Sequence, residues 1–163
     1  MNDASFEDGK ETPLNLKALE ADDLPVIAAL VQDAVFPATE MRWQPRLRRF
    51  AILLNRFRWE DRAAAERSGR PFERVQAVLC FDDVLKVASN GLDPRDGDVV
   101  LSLLSLGWEP GEDGTGRLTL ILAGDGAIAL DVECLDVTLR DVTRPYMAPS
   151  RRAPDHPDQP EID

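Results

Sequence analysis

Residues 117–132 read Arg117-Leu118-Thr119-Leu120-Ile121-Leu122-Ala123-Gly124-Asp125-Gly126-Ala127-Ile128-Ala129-Leu130-Asp131-Val132, two apolar runs on either side of a Gly-Asp-Gly turn. Glycine supplies the positive φ that a tight hairpin needs, and aspartate tolerates it. The segment therefore predicts an antiparallel hairpin, Arg117 to Ala123 followed by Ala127 to Val132. Upstream, Val99 to Trp108 is a further apolar run, set off by the loop composition of Pro110 to Gly116. The same pattern continues toward the amino terminus. Glu73 to Phe81 and Val84 to Asn90 meet at Asp82–Asp83, with Gly91 closing the unit. Met41 to Gln44 and Phe50 to Trp59 flank the polar turn Pro45–Arg48, a second hairpin. Leu14 to Glu20 reads as a short first strand.

One early stretch has a different period. Leu24, Ile27, Ala28 and Val31 recur at i, i+3, i+4 and i+7, behind Asp22 and Asp23 as N-caps and Pro25 in the first turn. That is one face of an amphipathic helix ending near Asp33. Leu135, Leu139 and Val142 read as a short closing helix. The expected fold class is α+β, mostly antiparallel strands in two meander-like halves with one early amphipathic helix. Leu53 to Glu60 echoes Leu103 to Glu109, and Val84 to Val87 takes the place of Ala127 to Leu130. Two accounts of this echo stay open, an internal duplication of a three-stranded meander or the ordinary likeness of Leu-rich hairpins. Two such halves would form a sandwich or a partly open barrel.

The ends differ from the body. Residues 1–13 are acidic with one aromatic side chain, and 144–163 contain five prolines, so both are expected to be disordered tails around a single globular domain, 14–143. The 163 residues suffice to bury roughly two-thirds of the surface that the unfolded chain exposes. A net charge of −11 disfavours nucleic acid and anionic membrane as whole-surface partners. The amino-terminal stretch has no apolar run of signal-peptide type, and the longest uncharged run, Val99 to Trp108, is about half a membrane span. Cys80 and Cys134 form no CxxC pattern and read as packed thiols of a reducing compartment. A cytoplasmic location is expected.

The segments Arg49 to Glu60 (Arg49-Phe50-Ala51-Ile52-Leu53-Leu54-Asn55-Arg56-Phe57-Arg58-Trp59-Glu60), Ala123 to Cys134 and Leu30-Val31-Gln32-Asp33-Ala34 resemble an alphaproteobacterial family described only as a domain of unknown function. The likeness extends over nearly the whole body. It implies a bacterial cytoplasmic protein and brings no activity, cofactor or site with it.

Little catalytic chemistry is legible. The single histidine, His156, sits in the proline-rich tail, so a His-based nucleophile is hard to build. Three Cys and His residues in all are too few for a structural zinc site, and no metal or cofactor is expected. Asp93 to Asp98 reads as a solvated turn lacking the order of a calcium loop. The glycines between Gly111 and Gly116 lack the Lys-Ser/Thr ending of a phosphate loop. Asp82, Asp83 and Asp125 are acid–base candidates, but acidic residues at hairpin tips are what turn formation asks for.

Charge placement is less ordinary. Residues 42–74 hold ten arginines against four acids, a balance of +6, whereas the other 130 residues carry −17. Arg42, Arg46, Arg48, Arg49, Arg56 and Arg58 are the candidate anion- or partner-binding residues. Arginine suits bidentate carboxylate and phosphate contacts. In strand 50–59, Arg56 and Arg58 share a face with Phe50, Ile52 and Leu54; the aromatics read as core and the arginines as exposed. Two readings stay open, a docking face or neutralisation of the protein's own acidic remainder, within one chain or across a homodimer. The expected function is a non-enzymatic binding or regulatory module engaging an acidic protein partner or itself, with short RNA ranked lower and membrane excluded. The alternative is an enzyme on a small anionic substrate, with arginine clamps and an aspartate acid/base.

Overall fold

In the computed structural model, residues 13–92, 97–148 and 153–154 are described. Strands dominate: β1 (Asn15–Ala18), β2 (Val35–Pro37), β3 (Met41–Gln44), β4 (Arg49–Phe57), β5 (Glu73–Phe81), β6 (Val84–Asn90), β7 (Val100–Pro110), β8 (Gly116–Leu122), β9 (Ala127–Val132), β10 (Val137–Asp141) and β11 (Tyr146–Met147). Two short helices accompany them, α1 (Leu24–Leu30) and α2 (Arg62–Ser68). All pairings are antiparallel, in the order β1-β10-β5-β4-β2-β7-β8-β9-β6, with β3 paired to β4 and β11 to β5. This is an α+β protein built on one open, mostly antiparallel sheet.

Local sequence explains the hairpins. Gly124 and Asp125 both have positive φ, 82° and 68°, and the Leu122 N–H donates to Gly126 O at 2.8 Å across the three-residue turn. Ile121 thereby faces Ala127, and Leu120 faces Ile128. Between β3 and β4 the chain makes a 3-10 turn over Pro45–Leu47 and leaves it through Arg48 at φ 54°. β7, β8 and β9 form the expected meander.

The first half does not. The chain crosses at Asp82–Asp83, with Asp83 at φ 58°, and β6 pairs with β9 instead of folding back on β5. β5 is taken on both sides, by β4 and by β10. Val87 and Leu130, expected at equivalent positions of two halves, are direct cross-strand neighbours.

The expected closing helix is strand β10. Leu135 and Leu139 are four apart, a spacing that fits a helix turn and a strand face equally. The alternation of buried Val137, Leu139 and Asp141 with more exposed Thr138 and Arg140 decides for the strand. A helix absent from the sequence reading, α2, forms over Arg62-Ala63-Ala64-Ala65-Glu66-Arg67-Ser68 and stops at Gly69, whose φ is 68°. β11 lies in the stretch expected to be an unstructured tail; Tyr146 pairs with Arg74 and Met147 with Glu73. The terminal residues 1–12, His156 and most of the Asp93–Asp98 turn lie outside the described residues.

One core receives both halves of the sheet. Phe50, Ile52 and Leu54 of β4 and Leu79 and Phe81 of β5 join Leu103, Leu118, Leu120 and Leu130 from the β7–β9 meander in a single apolar cluster. The sheet therefore curls round its own inner face. α1 adds Leu24 and Ile27, both buried. Each fully buried side chain of this size contributes about 1.5–3 kcal/mol. No helix among the described residues is long and apolar enough to cross a membrane.

A cleft between two strand edges

The six candidate arginines separate into three groups. Arg56 and Arg58, expected to be exposed, are buried at 0% and 6% exposure. The period-2 face was correct, since Arg56 lies inward with Phe50, Ile52 and Leu54. Carboxylates from other elements meet it there. Arg56 Nε donates to Asp141 Oδ1 at 3.0 Å and Nη2 to Oδ2 at 2.9 Å, while Nη1 and Nη2 reach Glu60 at 2.9 and 2.8 Å. Burial by itself would lower the guanidinium pKa, but the hydrogen bonds to Glu60 and Asp141 outweigh it and hold the pKa above the ordinary value. Arg58 pairs with Glu73 and lies 3.8 Å from Asp61, which Arg70 grips at 2.7 and 2.6 Å. The Arg70 hydrogen bond keeps the Asp61 carboxyl below its usual range, against burial, which acts the other way.

Arg48 and Arg49 form a second group. They stay exposed but are matched across the strand crossing, Arg48 with Glu133 at 2.9 Å and Arg49 with Asp82 at 2.9 Å. Arg42 on β3 and Arg46 in the following turn form the third. Both are exposed and make no ion pair among the described residues. For four of the six arginines the charge is thus balanced inside the chain. Arg42 and Arg46 are left facing solvent.

Behind Arg42, on the opposite face of β3, is a cleft of about 570 Å³. Met41 and Trp43 project into it from β3, Phe50 from β4, Val87 and Ser89 from β6, and Ile128 from β9. Period-2 alternation explains this: Met41 and Trp43 turn inward on the strand that sends Arg42 and Gln44 outward. No ionisable side chain lines the cleft among the described residues. Its two sides are unpaired strand edges. Among the described residues β3 bonds to β4 alone and β6 to β9 alone, so each presents a free edge. At one end the seam is closed by Val84 N–H donating to Arg48 O at 2.9 Å. Nothing in a single strand's sequence announces this cleft, because its walls come from five strands, Val100 and Leu101 of β7 among them, and the turns between them.

The corner where β5 crosses to β6 collects acids and both thiols. Asp82 lies 3.8 Å from Cys80 Sγ, and Asp83 3.1 Å from Cys134 Sγ. Cys134 was expected to be packed and is exposed. Its thiol pKa is pushed up to about 11, chiefly by the hydrogen bond to Asp83 and then by burial and further carboxylates. Burial and Asp82 raise that of Cys80. Asp136 is raised by burial and by Asp82 and Asp83, with Lys17 at 3.7 Å opposing. Protonated thiols beside carboxylates are poor nucleophiles and poor metal ligands, and among the described residues no group of Cys, His and carboxylates is arranged to hold a metal ion.

No curated protein and no solved structure matches the chain. A family of proteins of unknown function, DUF2948, matches residues 14–156, which takes in every strand from β1 to β11, and the protein belongs to that family.

Proposed function

We propose that this protein is a cytoplasmic, non-enzymatic binding module that engages an acidic protein partner at Arg42, Arg46 and the adjoining cleft. The carrying observation is the contrast among the arginines: Arg48, Arg49, Arg56 and Arg58 are matched by the chain's own carboxylates, whereas Arg42 and Arg46 have no ion-pair partner among the described residues, and Arg42 lies on the strand whose Met41 and Trp43 line the cleft. The lining is apolar and uncharged, which suits recognition of shape and apolar surface better than acid–base chemistry. Two free thiols fit a reducing compartment. The net charge of −11 favours a compact acidic patch or peptide over a long nucleic acid, which the rest of the surface would repel.

The test is affinity capture from a bacterial lysate, with wild type set beside Arg42→Glu/Arg46→Glu, at low and high salt and with nuclease. A partner protein held by wild type, released by salt, indifferent to nuclease and lost by the variant is the expected result. Capture unchanged by the double reversal overturns the reading.

A further inference from the structure

The cleft has a shape that ordinary ligand pockets lack, since its rims are backbone. β6 ends the sheet on one side, β3 hangs from β4 on the other, and both turn apolar side chains into the space between them. A free strand edge carries a row of N–H and C=O groups that pair readily with another extended chain. Proteins usually guard such edges, and here the guard is basic: Arg42 points outward from β3, and Lys86 lies exposed on β6, next to a bulge at Val84–Lys86. Arg46 adds a third cation in the turn. Basic residues on both rims repel a second copy of the same edges. They attract a strand that carries carboxylates.

We infer that the seam between β3 and β6 accepts an extended acidic segment of a partner protein as an added strand, with an apolar side chain seated against Trp43, Phe50 and Ile128. This rests on the binding reading above and specifies its mode. Alternation along such a segment would place every second side chain in the cleft and the others toward Arg42, Arg46 and Lys86. Backbone pairing supplies the affinity, the cleft selects an apolar anchor, and the basic rims select acidic flanks. Val84, already bonded to Arg48 at the closed end, limits how far the segment extends.

The experiment is selection of displayed random dodecapeptides on the full-length protein and on Arg42→Glu/Arg46→Glu, followed by synthesis of the enriched peptides. Amide hydrogen exchange is then measured in Met41–Gln44 and Val84–Asn90, with each peptide and with its alternately N-methylated form. Expected are sequences with acidic residues alternating about an apolar one, not enriched by the variant. They slow exchange at both edges, and N-methylation weakens binding about tenfold or more, as loss of backbone hydrogen bonds requires. Acidic peptides that bind equally well when N-methylated, or protect neither edge, overturn strand addition while leaving the binding reading standing. No enrichment of acidic sequences, or the same enrichment on the variant, overturns both. Edge protection that grows with protein concentration in the absence of peptide makes the occupant a second copy and overturns the assignment to a partner.

Discussion

Arg56 and Asp141 lie 85 positions apart, and two parallel hydrogen bonds at 3.0 and 2.9 Å join them with neither side chain open to water. Asp141 also accepts the Leu14 N–H at 3.0 Å, so one carboxylate ties the start of the folded chain, the last long strand and β4 together. Removing one member of a buried pair leaves the other charged and uncompensated. Arg56→Met should therefore cost about 3–5 kcal/mol, read as a lower urea midpoint at pH 7. Arg42→Glu/Arg46→Glu, which touches no ion pair among the described residues, should leave that midpoint nearly unchanged.

Acid sensitivity should be traceable to Asp61. The Arg70 hydrogen bond depresses its folded pKa below the unfolded value of about 3.9. The stability this adds is fully present above the unfolded pKa and is lost as pH falls through the folded one. Asp61→Asn should be clearly less stable than wild type at pH 7, and the difference should be smaller at about pH 2.5, below the unfolded pKa, where the carboxylate's contribution is being lost. Urea titrations at the two pH values check this; a difference that does not shrink contradicts it.

Cys134 should react slowly although it is exposed. With its pKa at about 11, on the order of a thousandth of the thiol is ionised at pH 8. In a Cys80→Ser background, iodoacetamide should alkylate it at least about tenfold more slowly than a free cysteine. Asp83→Asn removes the chief cause of the raised pKa and should speed the reaction.

Gly116 is a packing requirement. A Cβ there would collide with the Trp108 ring and stand 2.6 Å from the Glu109 carbonyl oxygen. Gly116→Ala should cost about 1–3 kcal/mol in thermal or urea unfolding. Adding Trp108→Phe should recover part of the loss, since the ring clash disappears and the backbone contact remains.

The strands and the two hairpin turns were legible because alternation and Gly-Asp-Gly chemistry are local. Partners were not. Periodicity put Arg56 on one face with Phe50, Ile52 and Leu54, yet its charge read as exposed; only Asp141, brought alongside through β5 and β10, makes an inward guanidinium tolerable. Arg42, Arg46, Arg48 and Arg49 look alike as a run of basic residues; register alone gives Glu133 and Asp82 to two of them and leaves two unmatched. Helix α2 did carry signals, the i,i+4 pair Arg62–Glu66 at 3.1 Å and the stop at Gly69, but its polar composition hid them. Leu135 and Leu139 could not distinguish helix from strand at a spacing of four. The cleft was illegible because its rims are edges, and an edge is defined by the strand that is missing.

Strand order also sets a timetable. Among the described residues β1 pairs with β10 alone and β6 with β9 alone, so as the chain leaves the ribosome each waits for a segment made much later. Val84–Asn90 stays unmatched until Ala127–Val132 emerges, and Asn15–Ala18 until Val137–Asp141 does. A nascent chain halted before Val137 holds β4 and β5 together but lacks the strand that shields the far side of β5. The sheet is thus completed only once Val137–Asp141 has emerged, and termination before that point leaves an open β5 edge exposed to neighbouring chains.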